Sequence, residues 1–300
     1  MRFPRSTSSL LLAFPLLMAG CNYEQSKPPT AEGLVLIKAR TAVGTHTTKL
    51  EARPMTNPPK AGEISIWALK VFDIKDKPNG ERNEWKFFNQ LPQTQNGEEA
   101  GTTDVLMRAW IISKDKSVFL SQSPSYKAYG SFVTDWIIPK AGDYSVFVEY
   151  QPAASGNKIY DVEMARWDFK TVPNDNGSAQ TVSVETPVVK PAENAVVKGD
   201  QTLREFGSAS EKGIQGPAIV FSSRKNPKSG DYENLEVKPK DKSALSNQEV
   251  AALSPDGKTL LNFVGERGQL VFPQKGNWDL WITFQKDGEK FTSRGIMKIS

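Results

Sequence analysis

The sequence predicts an all-β protein with two tandem immunoglobulin-like β-sandwich domains behind a signal peptide. Three observations predict it. Short runs rich in Val, Ile, Phe, Trp and Thr alternate with clusters of Gly, Pro, Asn and Asp, the pattern of strands joined by turns. The chain carries 22 glycines and 20 prolines, and no long stretch has the apolar period of an amphipathic helix. A strand–turn–strand pattern at 136–151 recurs at 270–285.

Arg2 and Arg5 precede an apolar run from Leu10 to Ala19, and Gly20 and Cys21 follow at once. A charged start, a short apolar stretch and small residues before the cut describe a secretory signal. The run is too short to span a bilayer, which takes about 20 apolar residues, and Pro15 interrupts it. Met18-Ala19-Gly20-Cys21 resembles the bacterial lipobox, in which the thiol is acylated before cleavage; Met18 stands where Leu is usual. Cys21 is the one cysteine of the chain. Residues 1–20 are thus read as a signal peptide and Cys21 as the lipidation site, carrying palmitate-like acyl chains. Each buried methylene of such a chain contributes about 0.8 kcal/mol, so two chains anchor stably. The implied partner is a lipid membrane, and the expected location is extracytoplasmic, on the cell membrane (the outer membrane if the source is Gram-negative). Residues 21–33 are polar, contain Pro28-Pro29 and read as a lipidated tether.

Charge says little about partners. Removing Arg2 and Arg5 from 38 basic residues leaves 36 against 34 acids, a net charge of +2. Nucleic-acid binding calls for a concentrated basic face, so no nucleic-acid partner is expected. The lone cysteine leaves no disulfide, so packing must supply the stability.

The strand-like runs are Leu34–Ala39, Glu63–Phe72, Val105–Ser113, Ser131–Ile138, Tyr144–Tyr150, Val162–Phe169, Ala218–Ser222, Gly268–Phe272, Trp278–Phe284 and Ser293–Ile299. Pro78-Asn79-Gly80, Gly142-Asp143, Pro255-Asp256-Gly257 and Asp287-Gly288 carry turn chemistry between them. The boundaries follow: a first sandwich over 34–172, a linker over 173–187 in a stretch rich in Asn, Gly, Val and Pro, and a second sandwich over 188–300.

The repeat supports this division. Residues 136–151 read WIIPKAGDYSVFVEYQ and 270–285 read LVFPQKGNWDLWITFQ. Pro139 matches Pro273, Gly142 matches Gly276, Tyr144 matches Trp278 and Gln151 matches Gln285. A proline that cannot donate to the ladder ends one strand, and the next alternates, with Tyr144, Val146, Val148 and Tyr150 on one face. The expectation is a core hairpin, present twice through domain duplication.

Val105 to Asp115, ending in Ser113-Lys114-Asp115, with Phe119, Gly130-Ser131-Phe132, Pro139, Gly142 and Tyr144 in order, resembles the YtkA-like secreted β-sandwich proteins of bacteria. In that family histidines stand before the apolar strand and in a following His-x-His-Pro run. Here those places hold Arg108, Ser121 and Ser123. The resemblance implies a sandwich outside the cytoplasm and an ancestry in metal handling. It carries over no metal site, because a guanidinium keeps its proton and imidazole is the ligand type such ions prefer.

The remaining chemistry is sparse. His46 is the one histidine, so a zinc or copper site of ordinary composition cannot be assembled, and no metal or other cofactor is expected. No Gly-x-Ser-x-Gly elbow occurs to serve a catalytic triad. Met55, Met107, Met164 and Met297 read as core fillers. Glycoside hydrolysis needs two placed acids; Glu98-Glu99, Asp161, Glu163 and Glu185 are available, but no spacing singles out a pair. Of the seven tryptophans, Trp85 in a polar context and Trp281, which points away from its own strand's core face, are the candidate ligand contacts. The sequence therefore reads as a membrane-anchored extracytoplasmic lipoprotein acting as a non-catalytic binding or structural module, not an enzyme, with an unidentified protein or glycan partner. Alternative readings are a carbohydrate- or cell-wall-binding module and a carboxylate-dependent glycoside hydrolase.

Overall fold

The computed structural model describes residues 48–73, 88–95, 98–102, 104–128, 130–153, 162–174, 195–210, 213–241 and 243–300. The signal peptide, Cys21, the tether, Leu34–Ala39, His46, Trp85, Pro78-Asn79-Gly80 and most of the 173–187 linker lie outside the described residues. The described chain is all-β, in antiparallel sheets.

The N-terminal strands are β1 (Thr48–Pro54), β2 (Ile64–Asp73), β3 (Phe88–Asn89), β4 (Pro92–Gln95), β5 (Glu98–Thr102), β6 (Met107–Ser113), β7 (Phe119–Gln122), β8 (Ser125–Ala128), β9 (Ser131–Ile137), β10 (Gly142–Pro152) and β11 (Glu163–Thr171). One sheet runs β1-β2-β9-β8, and a second runs β11-β10-β6-β7 with β3 also on β10. Between them lies a cluster that includes Trp67, Phe132, Tyr144, Val146, Val148 and Tyr150. The C-terminal strands are β12 (Ala195–Lys198), β13 (Gln201–Phe206), β14 (Ser208–Ser210), β15 (Ile219–Arg224), β16 (Tyr232–Pro239), β17 (Ser246–Leu253), β18 (Leu260–Val264), β19 (Arg267–Val271), β20 (Gly276–Lys286) and β21 (Glu289–Ile299). They form a β12-β13-β15-β16-β19 sheet and a β14-β21-β20-β17-β18 sheet around a second cluster with Phe206, Phe221, Phe263, Trp278 and Phe284. Each buried side chain of this size contributes about 1.5–3 kcal/mol through removal from water.

The repeat is present, but its geometry corrects the hairpin expectation. β9 pairs with β2, whereas β10 pairs with β6 and β11, so the Pro139–Gly142 segment crosses between facing sheets. The Pro273–Gly276 segment likewise carries the chain from β19, paired with β16, to β20. A proline that offers no amide to a ladder suits such a departure better than a tight hairpin. Gly142 (φ 152°) and Gly276 (φ 124°) hold a backbone region that side-chain-bearing residues rarely adopt. Both crossovers are tied by the first ring of the next strand: Tyr144 Oη donates to Lys140 O at 2.7 Å, and Trp278 Nε1 to Gln274 O at 3.0 Å.

The likeness between the two sets of strands reaches further than that pattern. Ser113 Oγ donates to Asp115 Oδ1 and Ser254 Oγ to Asp256 Oδ1, each at 2.6 Å. The same hydroxyls accept the amides of Val118 and Thr259, each at 2.9 Å. The carboxylates accept the amides of Ser117 and Lys258, each at 3.1 Å. Between them, Lys116 (φ 61°) and Gly257 (φ 69°) are both left-handed. The Ser-Lys-Asp tract is thus a turn brace joining β6 to β7, repeated as Ser-Pro-Asp between β17 and β18.

β10 and β20 are buried on both faces. Their second faces meet in a third cluster, in which Trp110, Ile112, Phe119, Phe147 and Met164 pack with Ala251, Leu253, Leu260 and Trp281. This junction explains one failed expectation. Trp281 does point away from its own sheet pair's core, but it is 1% exposed because it stacks on Phe119. Met55, expected in the core, is 77% exposed, while Met107, Met164 and Met297 are buried.

Candidate functional site

The junction is polar at one end, and there it opens into a cleft of about 1150 Å³. Both sheet pairs build it. β6 and β7 supply Arg108, Ser121 and Gln122; β17, β20 and β21 supply Gln248, Glu249, Gln285 and Lys290.

The floor is a set of polar contacts, one within the β6–β10 ladder and the others across the junction. Arg108 Nη1 donates to Glu149 Oε2 at 2.9 Å, and the same oxygen accepts Asn262 Nδ2 at 3.0 Å. Trp110 Nε1 donates to Glu249 Oε1 at 3.1 Å. Lys290 Nζ donates to the carbonyl and hydroxyl oxygens of Ser121 at 2.8 and 3.0 Å. Arg108 and Glu149 are buried, so removing either partner would strand the other's charge away from water.

The wall on β17 is irregular. Its pairing with β20 slips between Ser246 and Glu249, and Asn247 in the slipped stretch has φ 50°. Bulges of this kind re-aim side chains and concentrate beside functional sites. Asn247 Nδ2 donates to Gln285 Oε1 at 2.7 Å. Gln248 is 8% exposed, and its Oε1 has no hydrogen-bond partner. A buried acceptor left unmade costs about 1–3 kcal/mol, so its retention calls for an explanation.

Glu249 keeps part of its surface in the cleft. Burial pushes its carboxyl pKa up; the charges of Arg108 and Lys290 oppose the shift, and that of Glu149 adds to it. Glu249 therefore holds its proton to higher pH than a free glutamate. Glu149, the neighbouring acid, does not line the cleft.

The three positions where the resemblance would place histidines all line this cleft: Arg108 on its buried floor, Ser121 bonded to Lys290, and Ser123 at its exposed rim. No group of three metal-ligating side chains occurs among the described residues. Of the acids weighed for hydrolysis, Glu163 is buried on β11 outside the cleft, and Asp161 and Glu185 fall outside the described residues. Trp85 does too, and Trp281 belongs to the apolar end of the junction. Among the described residues, the tryptophan that reaches the surface is Trp167, 38% exposed on β11.

Sequence reading missed Gln248, Glu249 and Lys290. A signal for one of them was present. Aligning Ser254-Pro255-Asp256 on Ser113-Lys114-Asp115 sets Glu249 at the place of Arg108.

No protein-family model matches the chain, and a search of curated proteins returns no match.

Proposed function

We propose that this chain is a lipid-anchored extracytoplasmic module of two tandem immunoglobulin-like sandwiches that binds a ligand in the cleft at their junction, without catalysis. The observation that carries the reading is the convergence of Arg108, Ser121, Glu249 and Lys290, from both sheet pairs, around one polar cleft. The lipobox-like Met18-Ala19-Gly20-Cys21 supports the anchor, and the repeated crossover and turn brace support duplication of one ancestral sandwich. The likeness to YtkA-like proteins agrees with a secreted sandwich whose ligands for metal have been replaced.

Hydrolysis of a glycosidic bond is less well supported. It needs two carboxylates flanking the bond; the acid that perturbs Glu249 is sealed beneath Arg108 and Asn262, and the other acids of the lining, Asp104 and Glu266, are solvent-exposed side chains.

Two experiments test the reading. Cys21→Ser should abolish incorporation of a fatty-acid tracer, and undiminished labelling of the variant overturns the anchor. Calorimetric titration with Cu(II), Cu(I) and Zn(II) should give no tight stoichiometric binding; if it does, the non-metal reading fails.

A further inference from the structure

We infer that the junction cleft is a saccharide site in which Gln248 Oε1 accepts a ligand hydroxyl and Lys290 Nζ donates to a ligand oxygen. The inference rests on the cleft being the binding site and names the class of its ligand.

The first observation is the unpartnered amide oxygen. Gln248 is more than nine-tenths buried, lines the cleft, and leaves Oε1 without a donor. A hydroxyl satisfies it, and would serve equally if the amide were turned, since a hydroxyl both donates and accepts.

The second is Lys290. Two of its three ammonium protons are held by neutral oxygens of Ser121, and among the described residues no carboxylate lies in ion-pair range of it. One donor direction remains, beside a partly open Glu249 that is itself bonded to Trp110.

The third is charge balance. A free anion would meet Glu249, while Arg108 is already neutralised by Glu149. An organic cation would meet Lys290. The rest of the lining mixes the neutral hydrogen-bonding groups of Gln122, Ser123, Asn247 and Gln285 with exposed charges of both signs, Asp104, Lys238 and Glu266, so it presents no field of one sign to a charged ligand. A ligand presenting a donor and an acceptor at each of several positions fits this lining, and a sugar ring does so through its hydroxyls. The volume leaves room for more than one ring.

The indole proton of Trp110 reports on the site, because it sits on Glu249 at the cleft floor. The full chain, ¹⁵N-labelled at tryptophan, is titrated with maltotriose, cellotriose and chitotriose to about 10 mM, with citrate and trialanine as counter-probes. The expected result is a saccharide-dependent shift of that resonance. Gln248→Leu and Lys290→Met should each weaken the Kd at least about tenfold. Gln248→Leu removes an unpaired polar atom and should keep or raise the thermal midpoint of the parent; Gln248→Glu provides a second variant of the same size. A shift caused by citrate or trialanine alone overturns the saccharide assignment and leaves the cleft as a binding site. No shift with any probe, or saccharide shifts untouched by both substitutions, overturns the assignment of ligand to this cleft altogether.

Discussion

Phe119 of β7 stacks on Trp281 of β20, with centroids 4.9 Å apart and planes within 8°. The pair joins two sheet pairs that each have their own core, and Arg294 lies over the same indole at 5.6 Å. An offset-stacked pair is worth about 0.5–1.5 kcal/mol beyond its buried area, and truncating a buried tryptophan costs about 3–5 kcal/mol. Trp281→Ala should therefore lower stability by a few kcal/mol, and, since the loss falls on the junction, split one denaturation transition into two. Guanidinium melts followed by tryptophan fluorescence and by circular dichroism would check this. Coincident single transitions in the variant would mean that the sheet pairs do not depend on this contact for cooperativity.

Arg108 and Glu149 supply the second prediction. Breaking a buried ion pair on one side costs about 3–5 kcal/mol, because the surviving charge stays in the low-dielectric interior. Arg108→Met should destabilise strongly, whereas Arg108→Met with Glu149→Gln should recover much of the loss, Asn262 still having an oxygen to bond. A double-mutant cycle on urea midpoints reads the coupling, and additive losses would refute it.

These two cases show how far sequence reading reached. The runs Tyr144–Tyr150 and Trp278–Phe284 alternate so strongly that their strands were readable, and β20 and β21 close through Asp287-Gly288 as turn chemistry predicts. β16 and β17 were missed: Tyr232–Pro239 alternates with charged residues, and Ser246–Leu253 contains a bulge that breaks the two-residue period. Proline and glycine mark a departure from one ladder without saying which sheet receives the chain, so the crossover looks like a hairpin in the sequence. Trp281 looks like a ligand contact in the sequence because periodicity tells which face a residue is on, not what covers that face. The site itself is made of pairs far apart in the chain, such as Trp110 with Glu249 and Ser121 with Lys290, and no local pattern encodes such partners.

A third prediction comes from packing against glycine. Gly295 of β21 lies under the ring of Phe206, and a Cβ there would fall inside the ring's contact distance. Gly268 stands in the same relation to Phe263. Overfilling a packed core typically costs about 1–3 kcal/mol. Gly295→Ala should lose that much, and the added Phe206→Leu should restore part of it by shortening the opposing side chain. Equal midpoints for Gly295→Ala and wild type would show that the ring can move aside freely.

The turn braces respond to acid. Burial alone would raise Asp115, but hydrogen bonds from Lys140, Ser113 and Ser117 outweigh it and hold its pKa below the ordinary carboxylate range. Asp256 is lowered in the same way, burial being outweighed by Ser254, the Lys258 amide and Gln274. A carboxyl depressed in the folded state contributes stability above its unfolded pKa and loses it as pH falls through the folded value. Asp115→Asn and Asp256→Asn should each lower the thermal midpoint at neutral pH, with the gap to wild type closing below about pH 3.8, the unperturbed aspartate value. A gap that stays constant with pH would assign the loss to geometry instead of charge.

Glu249 has the opposite sign. Its folded pKa is raised, chiefly by burial, so the folded protein binds more protons than the unfolded chain above the ordinary glutamate value of 4.5. Stability then falls as pH rises from that value through the folded pKa, and levels off once both states are ionised. Glutamine keeps an acceptor for Trp110 Nε1 while carrying no charge to desolvate. Glu249→Gln should match wild type near pH 4 and exceed it increasingly toward neutral pH, in a series of thermal melts across that range. The stabilised variant would also identify Glu249 as a residue kept at a cost to the fold, as expected of a group that serves the cleft. If the variant were less stable than wild type at neutral pH, the attraction of Arg108 and Lys290 for the Glu249 carboxylate would outweigh its burial, and the direction argued for its pKa would be wrong.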